Sequence, residues 1–341
     1  MILFVGDLQY GSNALSLLKG FRKAGVTCNS VDTSMCAPSR FSVKRIMSYF
    51  FPTFYSRVCS FFLTKKILFA LRSFKPEMFF VFKGNYVSKK ILRKITCVKI
   101  HFHPDDSSAP INRSYVFDLA ENYYDLHITT RSQNVDEIKV RTGRDALLTY
   151  FAYDKDWHFV KSPIDFTNRK FIVGFIGHFR SDRSHVLDAL SNKYGKSLLV
   201  VGDRWRKSKD LSGRSTVQGA KYGKDFSEVI QLAPVQIGFL NSANRDEHTC
   251  RTFEIPAAGG LIIAKDTSEH RKIFSIPGSA LFFDNSDDIC SHLEWINANP
   301  QSASKIASRG HSLIVEGSNS WDDRAIKLLA EIKSRENNIC Q

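Results

Sequence analysis

The sequence predicts an α/β protein built from two tandem, doubly wound units. Three observations carry this. The 341 residues exceed one domain at roughly 100–200 residues per domain. The 43% hydrophobic content suffices for two cores. Apolar runs alternate with helix-like segments, and the alternation starts twice, each time with an apolar run ending in glycine: residues 2–5 before Gly6, and residues 171–176 before Gly177.

In order along the chain, residues 2–5 read as a strand, Tyr10-Gly11-Ser12-Asn13 as a loop and residues 14–21 as an amphipathic helix. Gly25-Val26-Thr27 leads to a second strand ending near Asp32, which completes a βαβ opening. Further strands are expected at 78–82, 98–102 and 126–129. Residues 154–170 are polar, contain Pro163 and read as a linker. The second alternation has strands at 171–177, 197–202, 235–240 and 261–264, with a helix over 182–193 and a tail helix from Trp321 to Glu336. The expected division is 1–160, 161–320 and a C-terminal helix within 321–341. Both large units read as Rossmann-like, and no short repeat is present.

MILFVGDLQYGS lacks the basic start and long apolar run of a secretory signal. No 18-residue charge-free apolar stretch exists, so no membrane-spanning helix is expected. Seven cysteines without a Cys-x-x-Cys pair suit reduced, cytosolic usage and no zinc cage. The net charge of +14 is uneven: residues 1–160 carry 23 Lys+Arg against 13 Asp+Glu. That balance points to an anionic partner, be it a membrane surface, a nucleic acid or a phosphorylated substrate. From Thr33 to Pro76 there is no acid at all, while Arg40, Lys44, Arg45, Arg57, Lys65, Lys66, Arg72 and Lys75 interleave with ten Phe and Tyr residues. This pattern suits an anionic bilayer interface, at about 1 kcal/mol per cation near the surface. It also suits nucleic acid, or a core helix pair with a solvated basic face.

Three stretches could carry chemistry. In CRTFEIPAAGGLIIAKD (250–266), Glu254 could accept both hydroxyls of a ribose, and Arg251 could fork onto a phosphate. The alternative is that Glu254 helps a helix N-terminus and Gly259-Gly260 ends that helix; the residues alone leave the two balanced. His101-Phe102-His103-Pro104-Asp105-Asp106 ends a strand, with His101 and His103 on one face. The run partly matches the His-x-His-x-Asp-His of metallo-β-lactamase-type hydrolases, but position 106 is Asp. No third histidine is placed by pattern, whereas zinc catalysis usually takes three protein ligands, so no metal site is expected. Gly6 to Ser12 is not Gly-x-Gly-x-x-Gly and reads equally as an ordinary βα loop. Asp203-Arg204-Trp205-Arg206-Lys207 reads as a solvated loop, and Trp321-Asp322-Asp323 as a helix start with acids near the N-terminal dipole.

The segment RTFEIPAAGGLIIAKDTSEHRKIF resembles the signature of the CgeB-like (spore maturation protein type) glycosyltransferases, a GT-B group similar to glycosyltransferase family 4. VGFIGHFRSDRSHVLDAL, LLVVGDRW, QGAKYGKDFSEVIQLAPVQIGFLN and HSLIVEGSNSWDDRAIKLL fit the same group in order, covering roughly 171–330. The N-terminal half matches more loosely. The resemblance implies a GT-B fold, with two Rossmann-like domains facing a cleft and a C-terminal helix crossing back to the first. It implies transfer of a sugar from a nucleotide-sugar such as a UDP- or GDP-sugar, without metal or other cofactor. In the wider class a Glu-x7-Glu pair bounds the donor site. Glu254 matches the second acid, at the ribose; the first falls on Asp246, an Asp in place of Glu, with Glu247 as the fallback. The resemblance places Gly177, Arg180, Arg183 and Arg251 at the nucleotide diphosphate, Tyr222 on the base-side loop, and Gly11 and Ser12 beside donor phosphate or acceptor. It makes Asp105, His103 and Asp106 the candidates that act on the acceptor hydroxyl or contact the sugar. With the basic-aromatic segment, it suggests a lipid-linked or envelope glycan acceptor at the inner face of the cell membrane. A DNA-modifying glycosyltransferase and a non-catalytic nucleotide- or glycan-binding protein are the alternatives.

Overall fold

Two parallel six-stranded sheets carry the chain, which we analysed as a computed structural model describing residues 1–36 and 41–339, apart from the side chains at 35, 41–45 and 336–339. The chain divides into two units: 1–151 with 243–245 and the C-terminal 321–341, and 152–242 with 246–320. The division falls before the expected boundary at residue 160. Residues 154–170 are not a free linker, because Trp157, His158 and Phe166 are buried and the Ser227 hydroxyl donates to the Trp157 carbonyl at 2.8 Å.

The first sheet comprises β1 (Ile2–Gly6), β2 (Cys28–Asp32), β3 (Met78–Phe82), β4 (Val98–His103), β5 (Leu126–Thr129) and β6 (Ala146–Leu148), in the order β2-β1-β3-β4-β5-β6. Its central strands are near-continuous apolar runs because helices cover both faces. On one face Leu3, Val5, Phe79 and Val81 meet Leu63 and Ile67 of the helix Pro52–Ser73. On the other, Phe4 stacks on Phe80 at 5.4 Å, and both meet Phe21 of the helix Asn13–Lys23. The C-terminal helix Trp321–Ile339 belongs to this unit, as expected, and lies against the helix Asn13–Lys23.

The second sheet comprises β7 (Val173–Ile176), β8 (Leu198–Val201), β9 (Thr216–Gln218), β10 (Val235–Gly238), β11 (Leu261–Lys265) and β12 (Leu281–Phe283), in the order β12-β11-β10-β7-β8-β9. Counted from β7, this is the 3-2-1-4-5-6 order of dinucleotide-binding sheets, whose direction reverses between β7 and β10. Its core joins Val173, Phe175, Val200, Ile237 and Ile263 to Leu187, Leu190, Ile289 and Leu293 of the covering helices. The strands β6, β9 and β12 were not expected. Each has three residues and lies at a sheet edge, where too few side chains repeat to show a period.

No described helix is long and apolar enough to cross a membrane. None of the described cysteines forms a disulfide. The helix Pro52–Ser73 buries Tyr55, Cys59, Leu63, Ile67 and Ala70 along one face. Its other face leaves Phe54, Phe61, Phe62 and Phe69 between 50% and 73% exposed.

Docking of the C-terminal helix rests on a glycine contact. A Cβ at Gly20 would lie 2.6 Å from the Trp321 carbonyl oxygen and 2.9 Å from the Ala325 Cβ. Gly20→Val is therefore expected to cost about 1–3 kcal/mol through overpacking. Urea unfolding checks this: an unchanged midpoint would show that the two helices do not need this close approach.

Candidate functional site

The reversal between β7 and β10 brings the loops after β7, β8 and β10 of the second unit together. They line a recess with His178, Arg180, Arg183, Asp203, Arg204 and Asn241. Its charged lining holds three guanidinium groups against one carboxylate. Arg180 stands at the N-cap of the helix Ser181–Tyr194, whose first turn aims backbone N–H groups outward. Arg180 pairs loosely with Asp182 at 3.4 Å. Arg183 is half-buried, donates to the Leu240 carbonyl at 3.3 Å, and keeps a buried Nε without a hydrogen-bond partner. Burial lowers its pKa, partly countered by Asp182.

Gly177 follows β7 at the floor of this region. A Cβ there would stand 2.6 Å from the Phe175 ring and 3.3 Å from Arg183 Nη1. The Trp205 indole N–H donates to the Gly177 carbonyl at 2.7 Å. Trp205 is fully buried, so the 203–207 run is not a simple solvated loop.

The short helix Arg251–Ala257 follows next. Its N-terminal N–H groups are served by Thr249, whose hydroxyl accepts from the Arg251 N–H at 3.2 Å, and not by Glu254. Glu254 is buried and pairs through Oε2 with Arg251. Its Oε1 lies 3.9 Å from His158 Nε2. Because His158 Nδ1 accepts from the Asp154 N–H at 3.0 Å, a neutral His158 carries its proton on Nε2, facing the carboxylate. Burial lowers the pKa of His158, and Glu254 opposes the shift. Arg251 also donates to the Ile176 carbonyl at the end of β7 and stacks 4.9 Å over Phe226. The helix-capping reading of Glu254 thus gives way to a buried acid–arginine pair. His158 was missed because it lay in the stretch read as linker.

Asp246 accepts from the Asn241 N–H at 3.2 Å, which sets it at the edge of the recess. Glu247, the fallback, accepts from the Ser268 hydroxyl at 2.7 Å and the Glu269 N–H at 3.2 Å, so it serves the start of the helix Ser268–Ile273. Tyr222 is exposed and close enough to Arg251 to influence its charge.

In the first unit, the run after β4 separates into different environments. Asp106 is 1% exposed and fully engaged: Arg245 forks onto it at 2.6 and 2.8 Å, Asn134 donates at 2.9 Å, and so does the Ser108 N–H. Burial would raise its pKa, but these donors outweigh burial and hold it at about 2. It is an anchoring ion pair rather than a proton acceptor. Asp105 is more open and pairs with Lys83 at 2.6 Å and Asn244 at 3.2 Å; burial would raise its pKa, but Lys83, Arg131 and Asn244 together lower it. His103 is buried, with Nε2 3.2 Å from Nδ1 of His127 on the neighbouring β5. Burial, reinforced by its histidine neighbours, holds His103 well below the usual imidazole range. Arg113 and Arg141 both clamp Glu121, whose pKa is held at about 2 against the effect of burial.

The first βα loop is held by local bonds. Ser12 caps the helix Asn13–Lys23, accepting from the Leu15 N–H at 3.2 Å and donating to the Asp7 carbonyl at 2.6 Å. Gly11 takes a left-handed turn with φ 85°. Of the basic segment, Arg57 bonds the Tyr115 hydroxyl at 3.2 Å, Lys65 lies 4.4 Å over Phe61, and Lys66 lines a shallow groove with Asp32 and Phe69. Arg40 and the side chains of Lys44 and Arg45 lie outside the described residues.

Residues 180–330 match the family model described as glycosyl transferase-like. A search of curated protein sequences finds no significant match. The chain is similar in structure to sucrose-phosphate synthase from Thermosynechococcus elongatus, at 12% identity, TM-score 0.69 and 98% of both chains. It is similar to Anabaena HepE solved with UDP-glucose, at 12% identity, TM-score 0.64 and 97% and 99% of the two chains. It is similar also to a glycosyltransferase from Rickettsia africae, at 13% identity, TM-score 0.65 and 98% and 97% of the two chains. The fold is that of the GT-B glycosyltransferases.

The Arg245–Asp106 pair gives a pH-dependent expectation. A carboxylate whose folded pKa is depressed from 3.8 to about 2 adds stability above the higher value and loses it as pH falls through the lower. Discounted for the half-exposed Arg245, Arg245→Ala should cost about 1–2 kcal/mol at pH 7 and about half as much at pH 3. Unfolding midpoints at the two pH values test this; a gap that stays constant would remove Asp106 as the partner.

Proposed function

We propose that the protein transfers a sugar from a nucleotide-sugar to an acceptor hydroxyl. The observation that carries this is the arginine-lined recess at the strand-order reversal of the second unit, with the buried, partnerless Nε of Arg183 beside it. The match of residues 180–330 to a glycosyl transferase-like model supports it from the sequence side. The diphosphate sits among Arg180, Arg183 and the first turn of the helix Ser181–Tyr194, over Gly177. Glu254, held through one oxygen by Arg251, receives the ribose hydroxyls. As the nucleotide diphosphate leaves, the guanidinium groups offset its charge, so that step requires no metal. Asp246 stands at the edge of the recess in the position of the first acid of the pair, and Tyr222 lies on the base side. Since HepE was solved with UDP-glucose, a UDP-sugar is the first donor to try. Within the GT-B group, the order of motifs from 171 to 330 favours the CgeB-like type.

The first unit receives the acceptor. Asp105 is its most accessible candidate for orienting the acceptor hydroxyl, since His103 and Asp106 are buried in other contacts. The exposed phenylalanines of the helix Pro52–Ser73, with Lys65, Lys66 and Arg72 and no acid on the segment, favour a lipid-linked or envelope glycan at an anionic membrane surface. The protein then works as a peripheral enzyme at the inner face of the membrane.

Two measurements test this reading. In a thermal-shift panel of UDP-, GDP-, CMP- and dTDP-sugars, one donor should stabilise the protein, and Arg183→Ala and Glu254→Ala should each weaken its binding at least about tenfold, the loss of one charged hydrogen bond. Variants that bind like the parent would overturn the donor assignment. In flotation with phosphatidylglycerol vesicles the parent should rise with the lipid, and Lys65→Glu/Lys66→Glu/Arg72→Glu should not. Equal flotation would overturn the membrane surface, and a salt-steep shift of DNA without lipid binding would select DNA as acceptor.

A further inference from the structure

The first unit contains a feature that sugar transfer does not use. β4 and β5 pair in parallel with His101 opposite His127, and His103 lies two residues further on the same face. The three imidazoles are 0–6% exposed. One nitrogen from each lies within 4.8 Å of the others. His103 Nε2 and His127 Nδ1 stand 3.2 Å apart. Two nitrogens bound to one tetrahedral zinc at ~2.0–2.1 Å are separated by about 3.3 Å, so this pair already has the spacing of two ligands.

The third member is oriented for the same task. His101 Nε2 lies 2.8 Å from the Lys83 carbonyl, which can only accept, so Nε2 carries the proton. Nδ1 is left as a lone pair, and it has no hydrogen-bond partner. A histidine that donates one ring N–H to a backbone carbonyl and offers the other nitrogen is the usual arrangement of a metal ligand. Phe117 and Tyr124 flank His101 at 4.9 and 4.7 Å, closing the sides with apolar rings. A small pocket bordered by Asp105, Ser107 and Asn112 touches the cluster at His103. Positive charge nearby is partly compensated: Arg113 and Arg141 both clamp Glu121, Arg113 also pairs with Asp118, and Arg245 is taken up by Asp106 and Glu137.

We propose that His101, His103 and His127 form a three-histidine site for a divalent transition metal, with zinc the best fit, inside the first unit. Three imidazole nitrogens and no thiolate suit Zn2+, Cu2+ or Ni2+ over Mg2+ or Ca2+, which take oxygen ligands. Three protein ligands leave a fourth position for water or another small ligand.

The test uses the full chain purified without a metal-affinity tag. Its metal content is measured as isolated, then after chelator treatment and titration with Zn2+ and with Co2+. One equivalent per chain is expected, with the intense visible absorption of tetrahedral Co2+ and a raised Tm on Zn2+ addition. His127→Gln should weaken Zn2+ binding by more than the ~10–100-fold that loss of an outer partner costs. His185→Gln, which alters an exposed histidine, should leave binding unchanged. Should His127→Gln fail to fold, the parent's Co2+ spectrum still decides. No saturable binding, a six-coordinate spectrum, or binding kept in folded His127→Gln would overturn the site and leave a plain histidine–histidine hydrogen bond.

Discussion

The close approach of two backbones at Gly177 and Gly202 is the constraint on which the second unit's recess depends. A Cβ on Gly202, which sits at φ 157°, would lie 1.9 Å from the Gly177 carbonyl oxygen. That approach lets the loops after β7 and β8 run side by side, and the Trp205 indole fixes it by donating to the same carbonyl. With β10 on the other side of β7, three loops meet at the carboxyl ends of the central strands. The guanidinium groups gather there because the chain reverses its strand order at that place.

The second unit holds its charges in two ways. Arg251 is satisfied by Glu254 and the Ile176 carbonyl, and so forms a rigid wall. Arg183 is only partly satisfied, with one N–H buried and unmatched. A buried donor without a partner costs about 1–3 kcal/mol. An anion that supplies the acceptor regains that cost on binding, which is why the unmatched group says more about function than the matched ones.

The first unit spends its charge internally. Glu121 takes two arginines, Asp106 takes Arg245, and Asp105 takes Lys83. Few cations near β4 are left to bind a polyanion. The uncompensated positive charge lies instead along the acid-free helix Pro52–Ser73, whose inner face is packed and whose outer face carries exposed phenylalanines. Cations that flank aromatic rings on an open helix face are suited to a surface that is apolar below and anionic above.

Periodicity and glycine punctuation in the sequence determined the α/β class, the two tandem units and nine of the strands, since long buried runs repeat often enough to be read. The three-residue edge strands do not. The residues alone leave Glu254 and Arg251 balanced between a ligand role and a helix role, and only the resemblance to a glycosyltransferase group singles out Arg180 and Arg183. Only the tertiary structure decided what those groups face. It separated Asp105 from Asp106, two adjacent identical residues, by giving the second to Arg245, which lies far along the chain. It placed His158 beside Glu254 from a stretch without strand or helix period. It brought His127 to His101 and His103 through the parallel register of β4 and β5. Such pairings depend on which strands lie side by side, and local spacing along one chain carries no record of that.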